Sequence, residues 1–393
     1  MRNRYNRTIR VCFLSYIVQA IVNNFAPLLF LTFHESYGIP LSKITLLVTF
    51  NFLLQLVVDA ASVKFLDRIG YRAAAVLANG FSGAGLVLLT VLPGAIADPF
   101  AGLLIAVATF ALGGGLLEVV ISPIVEACPS DNKERAMSML HSFYCWGHVG
   151  VVLVSTLFFA IFGLANWRAM ALCWAAVPII VAFLFLGVPI AKLLDEGDHG
   201  MSLRELAGAK IFWVMMLAML CSGASEQAVS QWASVLAEKG LGVSKAVGDL
   251  AGPMFFAVCM GLARLIYGKH GDRIPLKKFM LASCVLCVLS YLIIGLVPSP
   301  VLGLIGCGLC GLSVGIFWPG TLSLASASLR RGGSALFCLL ALAGDMGCSA
   351  GPTVAGMVSG AVGDNIRAGI LAAILFPAVL TVCIWRQRRG RNS

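Results

Sequence analysis

The stretch GGGLLEVVISPIVEACP, Gly113 to Pro129, sets a single carboxylate, Glu118, inside an apolar run long enough to cross a bilayer. A charge at that depth costs about 2.5 to 3.5 kcal/mol on insertion scales, so an intramembrane acid marks a functional site by default. The plainer alternative is a protonated Glu hydrogen-bonded to a neighbouring helix. Ser122 and Glu126 follow at i+4 and i+8, on the same stripe of a helix.

Outward from that run, the same composition continues. Of 393 residues, 59% are hydrophobic and only 12% charged, whereas soluble domains average about 25% charged; the mean hydropathy is +0.93. Apolar runs of about 20 residues give twelve expected spans, near 9–33, 43–66, 72–92, 101–127, 137–163, 167–190, 211–237, 246–268, 277–297, 301–328, 333–360 and 365–385. The opening MRNRYNRTIR leads into a full-length span, longer than a secretory apolar core, so the first helix is expected to be retained.

The net charge of +10 sits in short clusters beside the spans, a membrane-topology pattern and not a nucleic-acid face. One set of loops carries Arg2, Arg4, Arg7, Arg10, Lys64, Arg68, Arg72, Lys133, Arg135, Lys192, Arg204, Lys210, Lys269, Arg273, Lys277, Lys278, Arg330, Arg331 and the tail arginines from Arg386 to Arg391. The other set has only Lys43, Arg168, Lys239, Lys245 and Arg367. Both termini are therefore expected on the cytoplasmic side of a cell membrane. The thirteen cysteines lie mostly in apolar runs and lack metal-ligand spacing, so neither a disulfide framework nor a metal site is expected.

The longest polar stretch falls at the midpoint, which divides the chain into an N-terminal bundle (1–190), a cytoplasmic linker (191–210) and a C-terminal bundle (211–393). The halves repeat. Asp67-Arg68-Ile69-Gly70-Tyr71-Arg72 follows the second span and Asp272-Arg273-Ile274-Pro275-Leu276-Lys277 follows the eighth, 205 residues on. Gly113–Ala127 has a counterpart in Gly311–Ala325, GLSVGIFWPGTLSLA. Parallel repeats of this kind occur in secondary transporters.

These residues resemble the major facilitator superfamily over essentially the whole chain. The superfamily's loop signature, Gly-x-x-x-Asp-Arg/Lys-x-Gly-x-Arg/Lys, matches at Asp67, Arg68, Gly70 and Arg72, with Val63 in place of the first Gly; the second copy keeps Gly268, Asp272 and Arg273 and has Pro275 for the later Gly. Pro123-x-x-Glu126-x-x-Pro129 followed by Arg135 resembles its charge cluster at the cytoplasmic end of helix 4. Arg264, in MGLARLIYGKHGDR, precedes Asp272 by eight residues, as Asp59 precedes Asp67. Within the superfamily, Glu118 and LHSFYCWGHVG (Leu140 to Gly150), with His141, Phe143 and Gly147, look most like the fucose:proton symporter family and its sodium-coupled glucose transporter relatives. That family's helix 1 acid is absent here, and Asn23 and Asn24 stand nearby, which puts proton coupling through helix 1 in doubt and leaves sodium coupling or uniport open.

The resemblance implies an all-α membrane protein, twelve transmembrane helices in two pseudo-symmetric six-helix bundles, with solute bound near the midplane between them. Asn23, Asn24, Glu118, His148, Glu226 and Asp345 all fall within about two turns of the centres of their spans, at 1.5 Å per residue. His141, Tyr144 and His148 share one helical stripe; Ser222, Glu226 and Ser230 share another, with Gln227 and Gln231 beside it. Each polar group has an alternative role as an interhelical hydrogen bond, worth about 0.6 kcal/mol on average. Trp146, Trp232, Phe317 and Trp318 are candidates to stack on a sugar ring, although Trp and Tyr also populate membrane interfaces.

The expectation is a secondary carrier that works by alternating access and couples a small polar solute such as a sugar to protons or sodium. It would act as a monomer in the lipid bilayer, with no other cofactor and no nucleic acid. Asn23, Asn24, Glu118, His141, Tyr144, His148, Glu226, Gln227, Gln231, Trp318 and Asp345 are the candidate binding set. Asp59, Asp67, Arg68, Arg72, Glu126, Arg135, Arg264, Asp272 and Arg273 are the candidate gating set. A drug or metabolite exporter, and a lipid-handling or sensor protein on the same scaffold, are the alternatives. No Ser/His/Asp set or nucleotide loop suggests an enzyme.

Overall fold

The computed structural model describes residues 2–39, 41–193, 200–233, 236, 250–363 and 365–387. Several expectations lie outside these residues: 194–199 of the linker, 246–249 of the eighth span, Lys239 and Lys245, and the tail beyond Gln387. Among the described residues the chain is helical without strands. In order the helices are α1 (Arg2–Asn24), α2 (Phe30–Tyr37), α3 (Leu41–Ile69), α4 (Tyr71–Ala95), α5 (Pro99–Ala127), α6 (Lys133–Phe162), α7 (Trp167–Gly187), α8 (Leu203–Gly208), α9 (Lys210–Ser230), α10 (Phe255–His270), α11 (Leu276–Leu296), α12 (Pro300–Val314), α13 (Phe317–Ser328), α14 (Gly333–Ala361), α15 (Ile366–Ala372) and α16 (Leu375–Arg386).

Eleven described helical segments are long and apolar enough to cross a membrane. The eighth expected span is not among them: α10 has 16 residues, entered through a π turn at Leu250–Met254. Large apolar side chains such as Leu157, Phe183, Leu217, Val285 and Met357 face outward, a surface that water does not tolerate in such quantity and lipid does.

Local chemistry sets the helix ends. Asp98 accepts the Phe100 amide at 3.0 Å with Pro99 at the first helical position of α5, and Ser299 with Pro300 does the same for α12. Gly70, with φ of +81°, makes the tight passage from α3 to α4 that a side chain would strain. In the linker, Ser202 and Glu205 form a capping box at the start of α8. The hydrogen bonds from Ser202, that from its backbone amide first, hold the Glu205 carboxyl below its ordinary range.

Three expected spans are broken instead of continuous, and in each a proline stands about one turn past the break. Pro27 follows the end of α1 at Asn24, Pro319 follows the gap between α12 and α13, and Pro377 follows the gap between α15 and α16. Proline has no amide hydrogen, and its ring crowds the carbonyl four residues earlier.

Contacts divide the chain into two compact units: Met1–Ser130 with Trp146–Glu196, and Asp131–Cys145 with Gly197–Ser393. Residues 131–145 therefore do not group with the N-terminal bundle, where the linker boundary had placed them. The reason is a set of hydrogen bonds that Arg135, Ser138, His141 and Cys145 make with Arg264, Gly268 and Asp272. In the first unit, Phe25, Phe33, Leu86, Phe110 and Trp167 centre one apolar core, and α4 meets α5 closely: a Cβ on Gly113 would lie 2.6 Å from the Ala78 carbonyl oxygen. In the second unit α9 and α14 run backbone against backbone at Gly223, Gly347 and Gly351, an approach that small residues permit.

Candidate functional site

The first unit holds a polar ladder on three helices. Gln19 and Asn23 lie one turn apart on α1, Asn51 and Gln55 one turn apart on α3, and Gly114 and Glu118 one turn apart on α5. The Gln19 amide donates to Glu118 Oε2 at 2.9 Å. Asn23 Oδ1 accepts from Gln55 Nε2 at 2.9 Å and from Asn51 Nδ2 at 3.3 Å. The missing side chain of Gly114 makes room for the Gln55 amide, which a Cβ there would approach to 3.2 Å. Below Glu118, the Tyr16 and Ser122 hydroxyls meet at 2.9 Å. Positions 16, 19 and 23 thus descend α1 as 122, 118 and 114 climb α5, the register of two antiparallel helices.

Among the described residues, Gln19 Oε1 and Asn51 Oδ1 are buried acceptors with no protein hydrogen-bond partner. Buried polar groups are rarely left so. A hydroxyl donor or a small cation satisfies such oxygens.

Of the candidates on these helices, Glu118 and Asn23 belong to the ladder and Asn24 does not: its amide turns back onto the Ala20 carbonyl at 2.8 Å. The amides of Asn51 and Gln55 were passed over in the sequence reading. Their i, i+4 spacing within the apolar span TFNFLLQLVV was the signal available.

The second unit holds a separate polar centre around Arg264, a residue only 3% exposed. Its Nη2 donates to Glu226 Oε2 at 3.3 Å, its Nη1 to the His141 carbonyl at 3.2 Å and Cys145 Sγ at 3.1 Å, and its Nε to the Gly315 carbonyl at 2.8 Å. Glu226 continues through Gln227 Nε2 at 3.4 Å to Gln231, whose amide donates to Gln227 Oε1 at 3.0 Å. Of the polar residues expected together on this span, Glu226, Gln227 and Gln231 form one hydrogen-bonded chain, while the Ser222 hydroxyl turns to the Ala218 carbonyl and Thr321.

Other candidates fall differently. Of the two gating candidates that precede the loop acids by eight residues, Arg264 is buried in the second unit and Asp59 is fully buried in the first. Trp318 lies with its ring on Gly344, where an added Cβ would come within 2.6 Å of the indole, so that face is already used in packing. Asp345, next to Gly344, is half-buried. His141 and Tyr144 fall in the second unit and His148 in the first, so the helix 5 stripe does not form one described cluster.

Among the loop charges, Asp67, Arg68, Asp272 and Arg273 are exposed and Glu126 is buried. Arg72 was expected at a gate. It instead caps α7, donating to the Phe185 and Leu186 carbonyls at 2.7 and 2.9 Å, as a basic side chain does for the open carbonyls of a helix end.

Arg135 pairs with Asp272 and donates through Nε to the Gly268 carbonyl at 2.5 Å. With side chains 42% and 50% exposed, the pair itself is worth about 0 to 1 kcal/mol. Asp272→Asn is accordingly expected to leave the unfolding midpoint within about 2 °C of the parent, and Arg135→Ala, which also removes the donor to Gly268, to lower it further. Equal effects in a thermal-shift measurement would show that the carbonyl contact contributes nothing.

Two helical units, apolar exteriors and intramembrane acids bonded to amides and arginine define a polytopic membrane carrier. The model for the Major Facilitator Superfamily matches residues 11–352, and the chain belongs to that family; it is a transporter and not an enzyme. Its fold is that of the solved transporter FucP in the outward conformation, with a TM-score of 0.84 at 17% identity over 98% of this chain and 99% of that one. A structure of a single-residue variant of the E. coli fucose:proton symporter, FucP, gives the same score and identity over 98% and 100%. The proton:xylose symporter XylE bound to 6-bromo-6-deoxy-D-glucose gives 0.83 at 12% identity over 98% and 96%. No curated protein sequence matches.

Proposed function

We propose that this transporter takes up a small polar solute, a sugar, coupled to an inward flow of protons or sodium, by alternating access. The observation that carries the reading is the ladder of Gln19, Asn23, Asn51, Gln55 and Glu118. Four amides supply donors and acceptors in alternation, which is what vicinal hydroxyls require, and one carboxylate supplies the charge that an ion balances. The solved symporters that share the fold are described as moving fucose and xylose, which supports the same solute class.

Glu118 is the proposed coupling residue, with Glu226 and Asp345 behind it. An unpaired carboxylate at that depth is costly, and a proton or sodium bound to it offsets that cost when the site closes. The protein acts as a monomer in the cell membrane, with both termini cytoplasmic by the distribution of Lys and Arg.

The experiment is a thermal-shift screen of purified protein against sugars, organic acids, amino acids and drugs, with and without sodium, at two pH values. A ligand at 100 times its Kd stabilises the fold by about 2.7 kcal/mol. The expected hit is a monosaccharide whose shift grows with sodium or with acidity. Stabilisation by apolar drugs alone would replace this reading with an exporter. In the same assay Gln55→Ala is expected to weaken the monosaccharide by about tenfold, the loss of one buried hydrogen bond. An unchanged affinity would place the solute elsewhere.

A further inference from the structure

The break between α12 and α13 has a definite origin. In an unbroken helix the amide of residue 319 bonds the carbonyl of residue 315; Pro319 has no amide hydrogen, so the Gly315 carbonyl loses that donor. Helical bonding resumes at once, with Gly320 N on the Ile316 carbonyl at 2.8 Å. A carbonyl stripped of its donor within a membrane-spanning bundle has no water to turn to. Arg264 Nε reaches it at 2.8 Å.

The rest of the guanidinium is also engaged. Its two terminal nitrogens bond the Glu226 carboxylate on α9 and the His141 carbonyl and Cys145 sulfur on the first half of α6, and the Arg264 carbonyl accepts from the Ser138 hydroxyl at 2.8 Å. A rigid planar fork of donors serves a carbonyl and a carboxylate in different directions at once, with fixed geometry between them. A plain ion pair between Arg264 and Glu226 would have no reason to involve residue 319.

We propose that Arg264 is the positioning residue of the broken tenth span: it stands in for the N–H that Pro319 removes and fixes the Phe317–Trp318 entry of α13 to the Glu226 carboxylate. The charge on Glu226 and the angle of the break are then linked through one side chain. An event at α9 that draws Glu226 away, such as ion or solute binding, loosens the support of the Gly315 carbonyl. The link rests on the transport reading only for its role in the transport cycle; the contact itself is tested without any solute.

The test is a mutant cycle read by thermal unfolding of the full-length protein in detergent. Arg264→Ala is expected to lower the midpoint by about 5 °C, and adding Pro319→Ala, which restores the helical donor to Gly315, to recover about half of that loss. Because Arg264→Ala also strands Glu226, the cycle is repeated with Glu226→Gln, where recovery by Pro319→Ala should be more nearly complete. Arg264→Lys separates positioning from charge. Lysine keeps the partner of Glu226 without the fork, so beside Pro319 it should lose less than Arg264→Ala but still fall below the parent, and it should approach the parent beside Ala at that position.

Should Arg264→Ala yield no folded protein, the lysine series carries the same comparison. The inference is overturned if Pro319→Ala recovers nothing in either the alanine or the lysine background, or if Pro123→Ala, which alters a helix proline in the first unit, recovers as much. Uptake of radiolabelled fucose into proteoliposomes is measured on the same variants. Coupled thermal effects without uptake by the unsubstituted protein would leave Arg264 as the support of the break and remove fucose as the transported solute.

Discussion

Glu118→Gln is expected to abolish concentrative uptake, reducing a solute gradient of about tenfold or more to unity, while solute-for-solute exchange continues at a comparable rate. Glu118 lies among the apolar residues of α5, and its Oε2 accepts from the Gln19 amide. A carboxylate at that depth opposes reorientation by about 2.5 to 3.5 kcal/mol unless a cation accompanies it, and about 1.4 kcal/mol already corresponds to a tenfold difference. A solute-loaded carrier without its ion is thereby held back and the carrier loaded with both is released, which is a condition for coupling. Glutamine keeps the shape and a hydrogen-bonding oxygen but never carries charge, so the carrier reorients with or without the ion and the gradient collapses.

Counterflow and net accumulation in the same proteoliposomes separate the two outcomes. Loss of both, with the unfolding midpoint intact, would make Glu118 a solute ligand and not the coupling group. Undiminished accumulation would move coupling to Glu226 or Asp345.

Gly347→Ala carries the second large effect, a loss of folded protein. A Cβ at Gly347 would lie 2.8 Å from the Leu220 carbonyl carbon and 3.0 Å from the Ala224 amide nitrogen, and closer still to the Leu220 carbonyl oxygen. All three are backbone atoms of α9, which cannot swing aside as a side-chain tip can. Overpacking usually costs about 1 to 3 kcal/mol; here the helices must separate along a contact that Gly223 and Gly351 also keep tight, so the cost is at the upper end or beyond. The unfolding midpoint should fall by about 8 °C or more, with most of the protein aggregated on size-exclusion chromatography. Gly303→Ala is the matched control, since a Cβ there meets nothing within 4 Å. Equal behaviour of the two variants would mean that α9 and α14 do not approach as described.

The features that the amino-acid order determined by itself are those with a one-dimensional cause. Span length follows from bilayer thickness and duplication from the two Asp-Arg loops; neither needs a partner helix to be known.

What the tertiary structure alone decided is partnership. Asn51 and Gln55 gained meaning only once α3 lay against Asn23, and Arg72, read as a gate from its motif, was taken by the carbonyls ending α7. The first half of α6 joined the second unit and not the bundle its position in the chain suggested. Pro319 leaves the Gly315 carbonyl without its helical donor, and the group that answers it, Arg264, lies 51 residues away from that carbonyl in the chain. A hydrogen bond has a direction and a reach of about 3 Å, and a sequence specifies which groups need one without specifying which helix face will bring the partner within range.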